Sequence, residues 1–254
     1  MSTTHFLGDT TVLTGRSLRH ILRSPDTIIT TAVTPIALMV LFVFVFGGAI
    51  DTGGVSYIDY MLPGILLITI ASGIAYTAYR LFLDLQGGIF ERFQSMPIAR
   101  ASSLWAHVLT SLVANVASLV IVVGVALILG FRTGTSVLGW LAVLGILILF
   151  TLSLTWIAVI AGLAAKTVDG ASAFSYPLIF LPFISSAFVP TDSMPGPVAW
   201  FAENQPVTAI VDTLQALFAQ EPVGNDIWIA LAWLVAILVA GYAFANRIYR
   251  RKIS

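Results

Sequence analysis

Few side chains in this sequence are placed to do covalent or metal chemistry. His5, His20 and His107 are scattered along the chain and lack a metal-binding spacing such as HExxH. There is no cysteine, which excludes disulfides, thiolate metal sites and a cysteine nucleophile. Arg80 and Asp84, about one helical turn apart, are better explained as an ion pair at a helix end than as catalytic groups. We therefore expect no metal site and no catalytic residue.

The stretch GLAAKT at 162–167 ends in Lys166 and Thr167, as a phosphate-binding loop does. It lacks the glycine before the lysine and the GxxxxGK[ST] spacing with which backbone amides cradle phosphate. The formal net charge of zero also argues against a nucleic-acid partner, because basic surfaces supply most of that affinity. We therefore expect this chain to bind neither ATP nor nucleic acid.

The composition indicates a membrane protein. Hydrophobic residues make up 58% of the chain and charged residues 9%, with a mean hydropathy of +0.98, whereas soluble domains are roughly half apolar and about a quarter charged. Six stretches are long enough to cross the hydrocarbon core as helices, which takes about 20 residues. They are 27–50, 57–82, 104–130, 137–165, 171–189 and 227–248. We predict an all-α integral membrane protein with six transmembrane helices in one domain, residues 1–254.

The distribution of basic residues predicts the orientation, because basic loops stay on the cytoplasmic side of a membrane. With both termini inside, every Lys and Arg except Arg132 falls on the cytoplasmic side. The prediction is therefore N-in and C-in. No ionisable residue falls at mid-depth in a predicted span, which disfavours a proton relay, an ion-coupled carrier or an intramembrane catalyst.

An amphipathic pattern precedes the first span, within residues 1–26. Arg16, Arg19 and Arg23 share one face of a helix, opposite Leu18 and Leu22. This predicts a helix that lies on the cytoplasmic membrane surface. It could be a simple anchor, or it could also contact a cytoplasmic partner.

Residues 190–226 are predicted to form a re-entrant helical hairpin on the extracellular side. A short helix carrying Trp200 and Phe201 is followed by a second helix that begins at Pro206, with Asn204 as a candidate cap. The second helix has an apolar stripe of Val207, Ile210, Val211, Leu214, Leu217 and Phe218. An amphipathic surface loop is the alternative. In the preceding span, Pro177 and Pro182 predict kinks, because proline removes a backbone donor.

The cytoplasmic segment 83–103 includes GGIFERFQSMPIARASS at 87–103. The glycines can end one helix, IFERF can form a short one, and Pro97 can end it. The short helix combines apolar side chains with a Glu-Arg pair: Ile89, Phe90, Phe93, Met96, Glu91 and Arg92. Such an element suits a groove on a partner protein, and a solvated loop is the alternative.

Three stretches of the chain resemble the permeases of ABC-2 type transporters, especially the daunorubicin/doxorubicin resistance type. The cytoplasmic segment is similar to GxFERFxSMP at Gly88, Phe90, Glu91, Arg92, Phe93, Ser95, Met96 and Pro97. YIDYMLPGIL is similar to YLxYLLPG at Tyr57, Tyr60, Leu62, Pro63 and Gly64. The third stretch, 180–217, resembles the family's signature region through Phe188, Val189, Met194, Pro195, Gly196, Asn204 and Pro206. The chain departs from the family pattern at Gln94 and Gln215, where relatives often carry a basic residue, and at Gln205, which separates an Asn-Pro pair.

The resemblance implies the membrane half of an ATP-driven exporter in a prokaryotic plasma membrane. Two permease copies would pair with two ATP-binding cassette subunits, which would bind the ATP and magnesium. The chain itself would therefore be a transporter subunit and no enzyme. The residues that would couple it to the ATPase are Gly88, Phe90, Glu91, Arg92, Phe93, Met96, Pro97 and Arg100.

The resemblance also implies a substrate path along spans one, two and five. Its candidate wall residues are Phe42, Phe46, Tyr76, Phe180 and Phe183, and the candidate lid residues are Met194, Trp200, Phe201, Asn204 and Pro206. An aromatic, uncharged path favours an amphiphilic drug-like or lipid-like substrate. One alternative is an ATP-independent channel or carrier, which leaves the cytoplasmic segment unexplained. The other is an intramembrane lipid-modifying enzyme, which would need a cluster of titratable groups near one interface.

Overall fold

The computed structural model describes residues 14–15, 25–50, 54–87 and 100–253, and this part of the chain is helical with short connections. The predicted surface helix within 1–26 lies almost wholly outside the described residues. So do the predicted coupling residues from Gly88 to Pro97. Arg100 is described as the first residue of a helix.

Among the described residues, four helices are long and apolar enough to cross a membrane. They are α2 (Tyr57–Gln86), α3 (Arg100–Ile128), α4 (Val137–Ala164) and α9 (Asp226–Ile253). Their positions agree with predicted spans two, three, four and six, because long apolar runs must form helices to satisfy their backbone groups in lipid.

The first predicted span has a different shape from a plain helix. Helix α1 (Pro25–Leu41) continues into a π-helical turn at Phe42–Phe46, which the sequence did not reveal. A π turn holds more residues per turn than an α-helix and occurs often at functional sites. The apolar helical stretch, Thr31–Phe46, is shorter than the four spanning helices.

The fifth predicted span is broken into pieces. It consists of α5 (Val168–Ala173), α6 (Ser175–Phe180) and a 3-10 turn at Leu181–Ile184. The breaks fall near Pro177 and Pro182, which confirms the predicted kinks. The six-span count stays a prediction, because this segment and α1 are shorter than the spanning helices.

The segment after it contains two short helices, α7 (Gly196–Asn204) and α8 (Pro206–Ala219). Helix α8 begins at Pro206 and buries most of its predicted apolar stripe. The predicted cap is wrong: Gln205 is the N-cap residue of α8 and makes no side-chain capping bond. The Asn204 amide instead donates to the carbonyl oxygen of Trp200 at 2.7 Å, because its side chain is directed back along α7.

Helix α2 is the centre of the bundle. In its most apolar stretch 78% of the residues are buried inside the protein, against 17% in α9. Other segments can approach α2 closely because glycines, which have no side chain, lie where these segments cross it. A Cβ atom at Gly64 would lie 2.6 Å from the Cβ of Ala187, and one at Gly162 of α4 would lie 2.8 Å from the carbonyl oxygen of Ala78. Such close packing is typical of small residues in membrane helices.

Buried hydroxyl groups join α2, α3 and α4. Thr77 Oγ1 donates to Ser111 Oγ at 2.8 Å, and Ser111 Oγ lies 3.3 Å from Thr155 Oγ1. Asn115 Nδ2 donates to the carbonyl oxygen of Ser111 at 2.9 Å, and Thr155 Oγ1 donates to that of Thr151 at 2.6 Å. These five residues form a polar ladder, and their bonds stabilise helix association because lipid offers polar groups no other partner.

We predict that Gly162→Ala destabilises the protein by about 1–3 kcal/mol, because the added methyl group must displace the backbone of α2. Gly145→Ala is the matched control on the same helix, since a Cβ atom there meets nothing within 4 Å. It should be neutral or stabilising by about 0.5–1 kcal/mol, the usual gain for alanine over glycine in a helix. Thermal unfolding of both variants in mild detergent tests this, and equal unfolding temperatures would contradict the packing.

Candidate functional site

The two helices that flank the predicted coupling segment are tied together. The Oδ2 atom of Asp84, near the end of α2, lies 3.2 Å from Nε2 of His107, near the start of α3. The sequence suggested Arg80 as the partner of Asp84 and missed His107, which is distant in sequence. The Arg80 guanidinium lies over the ring of Tyr76, 5.8 Å from its centroid. The tie fixes the spacing between the end of α2 and the start of α3, which residues 88–99 connect.

Four of the five candidate path residues lie together. Phe42 lies 5.4 Å from Phe46 and 6.2 Å from Phe183, and Phe183 lies 6.2 Å from Phe180, measured between ring centroids. We call these four rings, with Phe188, the path cluster. It joins the π-helical turn to the broken fifth segment.

Phe188 holds the path cluster against α2. Its ring stacks on Phe42 at 4.8 Å and on Phe183 at 4.9 Å, and its side chain is 3% exposed. Gly64 makes room for it, since a Cβ atom there would lie 3.2 Å from the Phe188 ring. Sequence reasoning placed Phe188 in a family motif without giving it this role.

Tyr76, the fifth candidate, is not part of the path cluster. It lies on α2 twelve residues beyond Gly64, about 18 Å along the helix axis. Its ring is instead 6.0 Å from Tyr79, and Arg80 lies over it. Tyr76 therefore belongs to the end of the bundle that carries Asp84 and His107.

Side-chain amides fasten the α7–α8 hairpin to the bundle. Gln205 is 6% exposed, and its Nε2 donates to the carbonyl oxygens of Leu181 and Ile184, at the turn that ends the broken segment. Gln215 Nε2 donates to the carbonyl oxygen of Tyr60 at 2.9 Å. Both glutamines are positions where the chain departs from the family pattern, and both serve here as donors to backbone carbonyls.

The candidate lid residues are mostly on the surface. Trp200 is 67% exposed and Phe201 43% exposed, and Asn204 is exposed as well. Met194 and Pro206 are partly buried. The large aromatic side chains of α7 thus face away from the bundle, towards lipid, solvent or a partner.

A pocket of about 360 Å³ opens at the same end of the bundle, between α8 and the start of α2. We call it the hairpin pocket. Its lining comes from the start of α2 with Val55 before it, from the α3–α4 connection and from α8 with the turn after it: Val55, Asp59, Tyr60, Phe131, Arg132, Asp212, Gln215, Ala216, Phe218, Ala219 and Glu221. Sequence reasoning missed it, because its residues come from three separate parts of the chain.

The electrostatics of the hairpin pocket depend on its carboxylates. Asp59 Oδ1 accepts a hydrogen bond from the backbone N–H of Arg132 at 3.1 Å, and Asp212 Oδ1 accepts one from Ser186 Oγ at 2.5 Å. Burial raises the pKa of the Asp212 carboxyl, and the charge of Asp226 adds to this, while the bond from Ser186 opposes it. A cation in the pocket would favour the ionised carboxylate.

Comparison with known proteins identifies the family of this chain. A family model described as ABC-2 type transporter matches residues 9–219. The daunorubicin resistance ABC transporter permease protein DrrB1 of Streptomyces coeruleorubidus is 26% identical over 232 residues, 90% of this chain and 81% of the relative. The probable doxorubicin resistance ABC transporter permease protein DrrC of two Mycobacterium tuberculosis strains is 25% identical over 242 residues, 92% of this chain and 85% of the relative.

We predict that Gln205→Leu loosens the hairpin and destabilises the protein by about 1–3 kcal/mol, because it leaves the part-buried carbonyl groups of Leu181 and Ile184 without this donor. Asn204→Leu is the matched control, since its amide bond lies on the exposed surface and such substitutions usually change stability by less than about 0.5 kcal/mol. Hydrogen exchange measured by mass spectrometry should show faster exchange in 181–189 and 206–219 for Gln205→Leu only. The same acceleration in both variants would contradict the assigned role.

Proposed function

Since the chain belongs to the ABC-2 type transporter family, we propose that it is the membrane permease subunit of an ATP-driven exporter. The exporter moves an amphiphilic, drug-like or lipid-like compound out of the cell. The observation that carries the proposal is the family match, which covers 9–219 and so includes most of the bundle and the hairpin. The ATP and magnesium are bound by a separate cassette subunit, in keeping with the absence of a phosphate-binding loop in this sequence.

The proposed topology has six spans with both termini in the cytoplasm of a prokaryotic cell. Helix α1 with its π turn forms span one, and the broken segment α5–α6 forms span five. Each offers 16 or 17 apolar helical residues, about 24–26 Å of helix, which with the adjoining turns approaches the ~30 Å hydrocarbon core. The distribution of Lys and Arg supports this orientation. In this orientation the α7–α8 hairpin and its pocket lie on the extracellular side.

In the proposed assembly two permeases pair with two cassette ATPases. The cytoplasmic segment 83–103 docks on the ATPase through the residues from Gly88 to Pro97 and Arg100. The tie between Asp84 and His107 supports this role, because it holds the helix ends on both sides of the segment at a fixed spacing. A movement of the docked segment is therefore transmitted to α2 and α3 together.

The proposed transport step is a shift between two arrangements of the permease pair. ATP closes the two cassettes, the docked segments move, and the stiff helices change the contact between the permeases. A compound that binds one arrangement more tightly than the other is transported when the populations of the two arrangements change. The path cluster would contact the compound, and the hairpin, with Met194, Trp200, Phe201, Asn204 and Pro206, would act as the outer lid.

The substrate class is inferred from the path cluster and from the relatives. Five phenylalanine rings, joined by pairwise contacts, offer an apolar aromatic surface that suits aromatic or acyl groups. The relatives are named for resistance to daunorubicin and doxorubicin. An aromatic drug of this kind is therefore the first substrate to test.

We predict that the tagged chain, purified in mild detergent from membranes of its own organism, retains an ATP-binding cassette protein identified by mass spectrometry. Glu91→Arg should reduce the retained ATPase at least about tenfold, because a reversed charge in a docked contact costs binding free energy. Glu203→Arg, the same reversal on the exposed surface of α7, is the matched control and should retain the ATPase. No retained ATPase, together with transport or lipid-modifying activity of the purified chain alone, would overturn the proposal.

We also predict that Phe183→Ala lowers export of daunorubicin roughly two- to tenfold, the usual worth of an aromatic contact. Phe44→Ala is the control, since Phe44 lies on the same π turn as Phe42 but is 72% exposed. Cellular accumulation of daunorubicin, normalised to the amount of permease in the membrane, measures the effect. Equal loss in the two variants would contradict a substrate contact at the path cluster.

A further inference from the structure

The hairpin pocket has the size and the mixed lining of a binding site, and it shares no lining residue with the path cluster. Its volume of about 360 Å³ falls in the range of small-molecule sites, ~300–1,000 Å³. Three separate parts of the chain meet in it: the first turn of α2, the α3–α4 connection and α8 with the turn after it. A ligand there would touch both the central helix and the hairpin.

The charge of the lining favours a cation. Asp59, Asp212 and Glu221 contribute three carboxylates, and Arg132 contributes one guanidinium. Arg132 directs Nη1 to the carbonyl oxygens of Leu127 at 2.8 Å and Phe131 at 2.7 Å. The guanidinium is thus held by backbone acceptors at the edge of the pocket, and the lining keeps a net negative charge.

The aromatic residues of the pocket point to an organic cation. Tyr60, Phe131 and Phe218 line it, and the rings of Phe131 and Phe218 meet edge to face with centroids 5.3 Å apart. Aromatic faces attract ammonium groups electrostatically. A metal ion fits less well, because among the described residues no three His, Asp or Glu side chains come close enough together to hold one.

We propose that the hairpin pocket binds an ammonium group carried on an organic body, with the carboxylates of Asp59, Asp212 and Glu221 as counter-charges and the aromatic side chains around it. Two sources share this chemistry. One is a soluble organic amine, and the other is the headgroup of a zwitterionic phospholipid, whose phosphate group would lie near Arg132. The proposal rests on the proposed function only for placing the pocket on the outer side of the membrane.

Hydrogen bonds around the pocket link the binding of a ligand there to the position of the hairpin. Gln215 ties α8 to the backbone of α2 at Tyr60, and Asp212 ties α8 to Ser186 after the broken segment. Thr133 Oγ1 donates to the carbonyl oxygen of Phe218 at 2.7 Å, which ties α8 to the α3–α4 connection. An ammonium group between these elements adds a further link, so its binding should stabilise the hairpin in its present position.

The test uses the purified full-length chain in dodecyl maltoside, an uncharged detergent without ammonium groups, and needs no ATPase. The probe is dansylcadaverine, a fluorescent amine, and its N-acetyl derivative is the uncharged counterpart. Fluorescence titration should give an affinity for the amine at least about tenfold higher than for the acetylated probe. Micelles without protein give the blank.

Variants locate the binding site. Glu221→Gln and Asp212→Asn should each weaken binding of the amine about tenfold and leave the acetylated probe unaffected. Glu221 lies on the exposed rim, so its variant keeps the fold even if Asp212→Asn loosens the hairpin. Asp192→Asn is the matched control, since Asp192 is exposed and outside the pocket. Equal affinity for the two probes, or equal affinity of Glu221→Gln and Asp192→Asn for the amine, would overturn the proposal.

A competition experiment separates the two sources. Short-chain phosphatidylethanolamine, added below its micelle-forming concentration, should displace the amine probe if the site takes a lipid headgroup, whereas short-chain phosphatidylglycerol should not. Displacement by neither lipid, with carboxylate-dependent binding of the probe intact, assigns the site to a soluble amine. Because no ATPase takes part, failure of this proposal can be distinguished from failure of the chain to pair with a cassette protein.

Discussion

Three glycines determine how closely other segments approach α2, and the rest of the bundle depends on these contacts. Gly64 admits Ala187 and Phe188, Gly73 admits the side chain of Asn115, and Gly162 of α4 lies against the backbone of Ala78. The contacts extend over residues 64–78 of α2, about 21 Å of helix. Tight packing at these points replaces the hydrophobic driving force that a soluble protein would use, because lipid is as apolar as the side chains themselves.

The same packing brings the two candidate sites close together. Phe188 of the path cluster contacts α2 at Gly64, and the hairpin pocket contacts α2 at Asp59 and Tyr60, only about 6–8 Å further along the axis. The hairpin is joined to both, through Gln205 to the broken segment and through Gln215 to α2. A change in the hairpin would therefore reach both sites at once.

The sequence predicts those features that depend on composition over a long stretch or on a proline. Helices α2, α3, α4 and α9 are such features, and so are the kinks near Pro177 and Pro182 and the start of α8 at Pro206. The polar ladder was missed because Ser111 and Thr155 barely alter hydropathy, and nothing local shows that they meet. Four of the five candidate path residues lie in one ring cluster, together with Phe188 and apart from Tyr76, which the sequence does not show because it does not reveal which neighbours each residue of α2 contacts.

The π-helical turn at Phe42–Phe46 has a consequence for the evolution of this segment. A π turn is geometrically equivalent to one residue inserted into an α-helix. Loss of a single residue from FVFVF would restore the ordinary helical repeat and leave α1 facing nearly the same way relative to the residues after the turn, since the wider π turn takes up the extra residue. A chain without the insertion would keep α1 in register with the residues after the turn and would change only the side chains of the turn itself. A one-residue deletion in the turn would therefore change the contacts of Phe42 with Phe183 and Phe188 without turning α1 as a whole.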